Sequence, residues 1–133
     1  MKKKRMGFTL AELLMVVVIL GILAAIALPR FYPQAEKARV AEAIGILSAI
    51  RVGEEAYYLE NGTWVTSSSW GDLGLEDPAA TNKYWTFGVG SDSSGFLATA
   101  TRNADVDDDY ASKTITLDRD GDWGGSHPYK PKA

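Results

Sequence analysis

Residues Gly7 to Phe31 read GFTLAELLMVVVILGILAAIALPRF, and the fold turns on how this stretch is read. From Phe8 to Leu28, 21 residues, only Thr9, Glu12 and Gly21 are not strongly apolar. A helix rises about 1.5 Å per residue, so about 20 such residues cross the hydrocarbon core of a bilayer. Lys2, Lys3, Lys4 and Arg5 stand just ahead of it. A basic tail of this kind stays on the cytoplasmic side and sends the rest of the chain outward. Glu12 is the exception inside the run. A charged side chain at a membrane helix centre costs roughly 2.5–3.5 kcal/mol, and less near an interface. Such a carboxylate calls for a partner.

Two partners are open. One is local: Thr9-Leu10-Ala11-Glu12 fits the capping box, in which Glu12 accepts from the Thr9 backbone N–H. The other needs a cut between Gly7 and Phe8, which creates a new ammonium on Phe8. Glu12 of one subunit could then pair with Phe8 of a neighbour inside a helical bundle. Removing either partner of such a buried pair is costly, which makes it a device for register.

The same residues carry a family resemblance. The stretch resembles the amino terminus of class III type IV prepilins and of the type II secretion pseudopilins. The likeness rests on the basic leader ending in Gly7, on Phe8-Thr9-Leu10, on Glu12, on the apolar run and on Pro29. It covers residues 1–60, and beyond them only the layout. The resemblance implies that a membrane-embedded prepilin peptidase cuts after Gly7 and N-methylates Phe8. It implies that Glu12 and Phe8 dock subunits. The mature chain would wait in the inner membrane until an inner-membrane assembly platform adds it to a helical filament of its own copies, a pilus on the cell surface. Within the family the alternative is the major pseudopilin of a type II secretion system. Some relatives are discussed as electron-conducting filaments, and Phe8, Phe31, Tyr32, Tyr57 and Tyr58 are the aromatic residues the helix would offer.

A reading from another class makes Lys2 to Arg5 a signal-peptide n-region, Leu13 to Ala24 its h-region, and Ala25-Ile26-Ala27 its cleavage site. That would release a soluble binding domain starting at Leu28. Glu12 argues against it, since an h-region gains nothing from a carboxylate, and so does the unbroken helical pattern across Ala27.

The expected fold is α+β. One long amino-terminal helix, from Phe8 to Glu60, has a transmembrane half and an amphipathic half packed against a small antiparallel sheet, which is also the pilin layout. The expected divisions are a cleaved leader over 1–7, a membrane and filament-core half over 8–30, and the amphipathic half plus globular head over 31–133. In the second half Val40, Ala43, Ile44, Leu47, Ile50 and Tyr57 recur at helical spacing. Glu36, Lys37, Arg39, Glu42, Arg51, Glu54, Glu55 and Glu60 are assigned to the polar side. Pro29 removes one helical hydrogen bond and predicts a kink or a frayed turn. Gly21 weakens the helix further, or lets a neighbouring helix approach. Together they mark a stretch that could extend when subunits pack.

Asn61-Gly62 stops the helix. Thr63 to Lys83 reads as a loop with Trp64 and Trp70 as anchors and a helical turn around Gly71 to Leu75. Asn61-Gly62-Thr63 matches the N-glycosylation sequon by chance. Strands are predicted over Tyr84 to Val89, Phe96 to Thr101 and Thr114 to Leu117, with Gly90 to Gly95 as a hairpin turn, Asn103 to Asp109 as an acidic loop, and Trp123 beyond a turn at Asp120-Gly121.

Composition narrows the function. The formal charge of the 133 residues is −3; without the four leader cations, ten basic side chains face 17 acidic ones, a formal −7. Nucleic acid is not expected as a direct ligand of so acidic a chain. There is no cysteine, so packing, hydrogen bonds or a metal must hold the tail. Many pilins close a carboxy-terminal loop with a disulfide, and this chain departs from that. The one histidine, His127, is expected to be a solvated tail residue, and no catalytic constellation appears. Enzyme activity and a cofactor are not expected. Two acidic clusters admit a calcium reading: Asp105, Asp107, Asp108 and Asp109, and Asp118, Asp120 and Asp122. Some pseudopilins bind Ca²⁺ in a carboxy-terminal loop. Neither cluster is an EF-hand, because Tyr110 or Trp123 falls where Gly is required. The other reading is acidic turns that keep the surface soluble.

Overall fold

A computed structural model describes residues 6–104 and 109–132. Helix α1 covers Leu10–Asn61, and strands β1 (Trp85–Ser91), β2 (Phe96–Arg102), β3 (Thr114–Asp118) and β4 (Trp123–Gly124) follow. The strands form one antiparallel sheet in the order β1-β2-β3-β4. The fold is therefore the expected α+β arrangement. The chain divides into two units, Met1–Glu36 and Lys37–Ala133, which are taken separately.

In the first unit α1 starts at Leu10, two residues later than expected, because Thr9 caps it. The Glu12 N–H donates to Thr9 Oγ1 at 3.2 Å, and the Thr9 N–H donates to Glu12 Oε2 at 3.1 Å. This is the reciprocal capping box, which satisfies two helix-start donors. The helix then runs through Pro29, and through Pro33, which the sequence reading had not singled out. From Leu10 to Leu28 the large apolar side chains are 52–86% exposed. Among the described residues α1 alone is long and apolar enough to cross a membrane.

In the second unit one face of α1 is buried. Val40, Ala43, Leu47 and Ile50 join inward residues of the sheet in a single core. Continuing the same three-four spacing lands on Glu54 within this unit and, in the other direction, on Glu36, the last residue of the first unit. Both were assigned to the polar side, and both are buried, Glu36 at 1% and Glu54 at 0% exposure. Residue type pointed outward; position on the stripe points inward.

The sheet alternates as a half-buried sheet should. Trp85, Phe87 and Val89 face inward from β1, Phe96, Ala98, Ala100 and Arg102 from β2, and Ile115 and Leu117 from β3. Register sets the two central alanines against larger neighbours: Ala100 pairs with Phe87 and Ile115, Ala98 with Val89 and Leu117. Strands β1, β2 and β3 each end one or two residues beyond the predicted limit. The hairpin turn is shorter than expected, since Gly90 and Ser91 still pair with β2. Asp92 shapes it. Its Oδ1 accepts from the Ser94 hydroxyl at 2.6 Å and from the N–H groups of Ser94 and Gly95. Those bonds hold the Asp92 carboxyl below its ordinary pKa, the Ser94 hydroxyl most of all.

Between helix and sheet the turn at Trp70–Gly74 closes on hydrogen bonds to Trp70 and Gly71 carbonyls, without becoming an α-helix. A 3-10 turn forms instead at Pro78–Ala80, where Asp77 accepts from the Ala79 N–H and Pro78 occupies the first turn.

Candidate functional site

The residues singled out in the first unit lie around the start of α1. Met6 to Thr9 are non-helical, and Met6 and Phe8 are 99% and 83% exposed. The Gly7–Phe8 bond thus sits in an open segment just ahead of the cap. A Cβ on Gly7 would meet nothing within 4 Å, and its φ lies outside the range that favours glycine. Nothing in the described chain requires glycine there. The same holds at Gly21, where an added Cβ would also meet open space although an interior helical glycine costs about 1 kcal/mol relative to alanine. Glu12 has its local partner in Thr9. Both Gly21 and Pro29 lie within continuous helix.

Gly53, in the second unit, behaves in the opposite way. A Cβ there would stand 2.6 Å from the Leu73 carbonyl oxygen. The loop therefore crosses the helix at close range, and only glycine leaves it room. One residue on, Glu54 Oε2 accepts the Val65 N–H at 2.9 Å, while Oε1 is buried without a hydrogen-bond partner. Burial pushes the Glu54 carboxyl above its ordinary pKa, against the Val65 N–H, which pulls it down.

Of the two acidic clusters, the one at the β3–β4 turn lies wholly within the described residues. Asp118 Oδ1 accepts the Asp122 N–H at 2.9 Å and closes the β3–β4 turn. Among the described residues no three acidic, histidine or cysteine side chains stand close enough to share a metal ion, so Asp118, Asp120 and Asp122 are not such a group. Asp105, Asp107 and Asp108 lie outside the described residues; Asp109 is exposed.

His127 corrects another expectation. It is 1% exposed rather than solvated. Its N–H donates to the Thr114 carbonyl at 2.9 Å, and its Nδ1 accepts the Tyr129 N–H at 3.2 Å. The rings of Trp85, Tyr110 and Tyr129 lie within 6 Å of its own, centroid to centroid. Ser126 Oγ accepts the Thr114 N–H at 3.0 Å. Gly125 has a φ of 101°, and a Cβ there would overlap the Thr114 carbonyl. The tail is thus pinned by hydrogen bonds and aromatic packing. In the sequence only Tyr129, two places on, is local to His127; Trp85 and Tyr110 reach it through the fold.

The comparisons match this division. A family model described as the prokaryotic N-terminal methylation motif matches residues 2–28. A second, described as pilin (bacterial filament), matches residues 36–131. That match spans most of the chain, and the protein belongs to the pilin family. A type IV major pilin protein PilE1 of Neisseria gonorrhoeae is 30% identical over 118 residues, 89% of this chain and 62% of the relative. A fimbrial protein of Neisseria meningitidis serogroup A is 41% identical over 63 residues, 47% of this chain and 37% of the relative. A fimbrial protein of Pseudomonas aeruginosa is 40% identical over 67 residues, 50% of this chain and 44% of the relative. The chain therefore spans between about a third and three fifths of the length of the curated relatives it matches.

Proposed function

We propose that the chain is a structural subunit of a type IV pilus or pilus-like filament. Prepilin peptidase removes residues 1–7 and methylates the new amino group of Phe8. The mature chain is held in the inner membrane by the apolar half of α1, and an assembly platform adds it to a filament on the cell surface. The helix then exchanges lipid for the helices of other copies, so little hydrophobic free energy is lost on leaving the membrane.

One observation carries this reading: the methylation-motif match falls on a helix whose apolar side chains the described chain leaves uncovered, and the pilin match follows it. The glycines agree. Gly7 and Gly21 answer to no crowding among the described residues, which fits requirements set by a peptidase and by neighbouring helices. Glu12 serves the cap in the single subunit and, after cleavage, the Phe8 ammonium of a neighbour. The relatives named as fimbrial and type IV major pilin proteins favour a pilus over a secretion pseudopilus. Continuous helix through Ala27 counts against release of a soluble domain.

Mass spectrometry of the native amino terminus tests it. N-methylated Phe8 is expected. An intact leader, or a chain beginning at Leu28, overturns the reading. Electron microscopy of the cells separates long surface fibres from a short periplasmic filament.

A further inference from the structure

Glu54 is a carboxylate that the proposed function does not use. It sits at the end of the core stripe of α1, wholly buried. One oxygen holds the Val65 N–H across the helix–loop boundary, and the other has no partner. A buried ionised carboxylate is costly unless a cation or several donors surround it.

Among the described residues the groups around it supply none. On α1, the Arg51 guanidinium is turned to Glu55, 3.4 Å away, and its Nε donates to the Arg119 carbonyl. After Glu55, Tyr57 and Tyr58 are the next polar side chains along the helix, and Tyr58 stacks on Trp64 with ring centroids 4.2 Å apart. On the loop side, residues 62–71 contain no charged side chain, and Asp72, the first, is exposed. On the sheet, the inward positions are apolar except Arg102, whose Nη1 donates to the Asn103 carbonyl. Arg119, after β3, lies over the Trp64 ring.

We propose that buried Glu54 is a proton-controlled latch: the segment 62–75 stays closed on α1 while Glu54 carries a proton and loosens when Glu54 ionises, because leaving a charge buried with one oxygen unpartnered costs more than the stronger bond to the Val65 N–H returns. Val65 and Leu73 are the buried apolar residues of this segment, and Leu73 rests on Gly53. Loosening would therefore uncover apolar surface beside the carboxyl end of α1. The direction follows from linkage. A carboxyl whose protonated form is favoured by the fold adds stability that is fully present below its unfolded pKa, about 4.3 for Glu. That contribution is lost as pH rises through the folded pKa. The latch belongs to the head alone and stands apart from the pilus reading.

Amide exchange of the full chain in detergent micelles tests it, with rates corrected for intrinsic exchange at each pH. The Val65 amide should lose about tenfold or more of its protection between mildly acidic and mildly alkaline pH, since one proton can shift an equilibrium by about tenfold per pH unit. The Ile115 amide in β3 should not follow. In Glu54→Gln, which mimics the protonated group, the Val65 protection should be flat with pH. PH-independent protection in the wild type, an equal slope in Glu54→Gln, or an Ile115 slope equal to that of Val65 each overturns the latch. Should Glu54→Gln fail to fold, a carbon NMR titration of the wild-type Glu54 carboxyl decides: a midpoint above the ordinary range supports the latch, and an ordinary midpoint overturns it.

Discussion

The two parts of α1 are the same kind of helix with opposite dependence on the rest of the chain. Between Leu10 and Leu28 every large apolar side chain is more than half exposed. Between Val40 and Ile50 a stripe of four is fully covered by the chain's own sheet and loops. Apolar surface left open on this scale marks a partner outside the molecule. The glycines repeat the contrast. Gly53 is demanded by a carbonyl in the same chain, whereas Gly7 and Gly21 face nothing among the described residues. One part of the helix is a component of a fold, and the other is a component of something the single chain does not contain.

The largest expected effect breaks that contrast at its outer end. Glu12→Ala should reduce assembled filament by about tenfold or more, since removing one partner of a buried ion pair costs roughly 3–5 kcal/mol. Thr9→Ala removes only the hydroxyl side of the capping box, worth about 0.5–2 kcal/mol of helix stability, and should still assemble. Equal filament yields from the two variants would leave Glu12 with its cap alone. Next comes a matched pair on one helix. Leu47→Ala should destabilise the head by about 2–5 kcal/mol in thermal melts of the micelle-bound chain. Leu14→Ala should leave that melt within about 0.5 kcal/mol of the wild type, as surface changes do. A similar loss from both would show that the apolar half supports the head.

Much of this was readable from residues alone, and the failures have one cause. The apolar half of α1 was legible because its signal, 21 residues of which only Thr9, Glu12 and Gly21 are not strongly apolar, needs no tertiary context. The strands were legible from alternation, and their ends slipped by a residue or two because ladder pairing, not propensity, sets where Ser91 and Arg102 stop. Glu36, Glu54 and His127 were misplaced because each was judged by its type. Glu36 and Glu54 could have been found by extending the Val40–Ala43–Leu47–Ile50 spacing one turn each way. His127 could not, since the groups that bury it, Trp85, Tyr110 and Tyr129, converge only through the fold of the sheet and tail. In the candidate assembly site, the Thr9–Glu12 cap was visible as a motif, while an intersubunit partner is by nature absent from one chain.

The glycine contrast gives a smaller effect. Gly53→Ala should cost about 1–3 kcal/mol of head stability, because the carbonyl it would strike belongs to backbone that must move. Gly21→Ala should leave the head melt unchanged and slightly favour its helix. If Gly21→Ala nonetheless lowers filament yield, the glycine serves a neighbour's approach or an extension on packing.

The smallest expected effect concerns the tail. Asp118 is already engaged with the Asp122 N–H, and Asp120 is exposed at the tip of the β3–β4 turn. His127, Ser126 and Tyr129 pin the chain end by hydrogen bonds. Asp120→Ala should therefore change the head melt by less than about 0.5 kcal/mol, and by the same amount in calcium as in chelator. A ligand that binds only the folded form raises stability by about 2.7 kcal/mol at a hundredfold excess over its dissociation constant. A calcium-dependent rise in the wild-type melt that Asp120→Ala abolishes would show a cation drawn into this turn. A rise that survives Asp120→Ala would direct attention to Asp105, Asp107 and Asp108 instead. Either would make the head, like the apolar half of α1, dependent on something outside the chain.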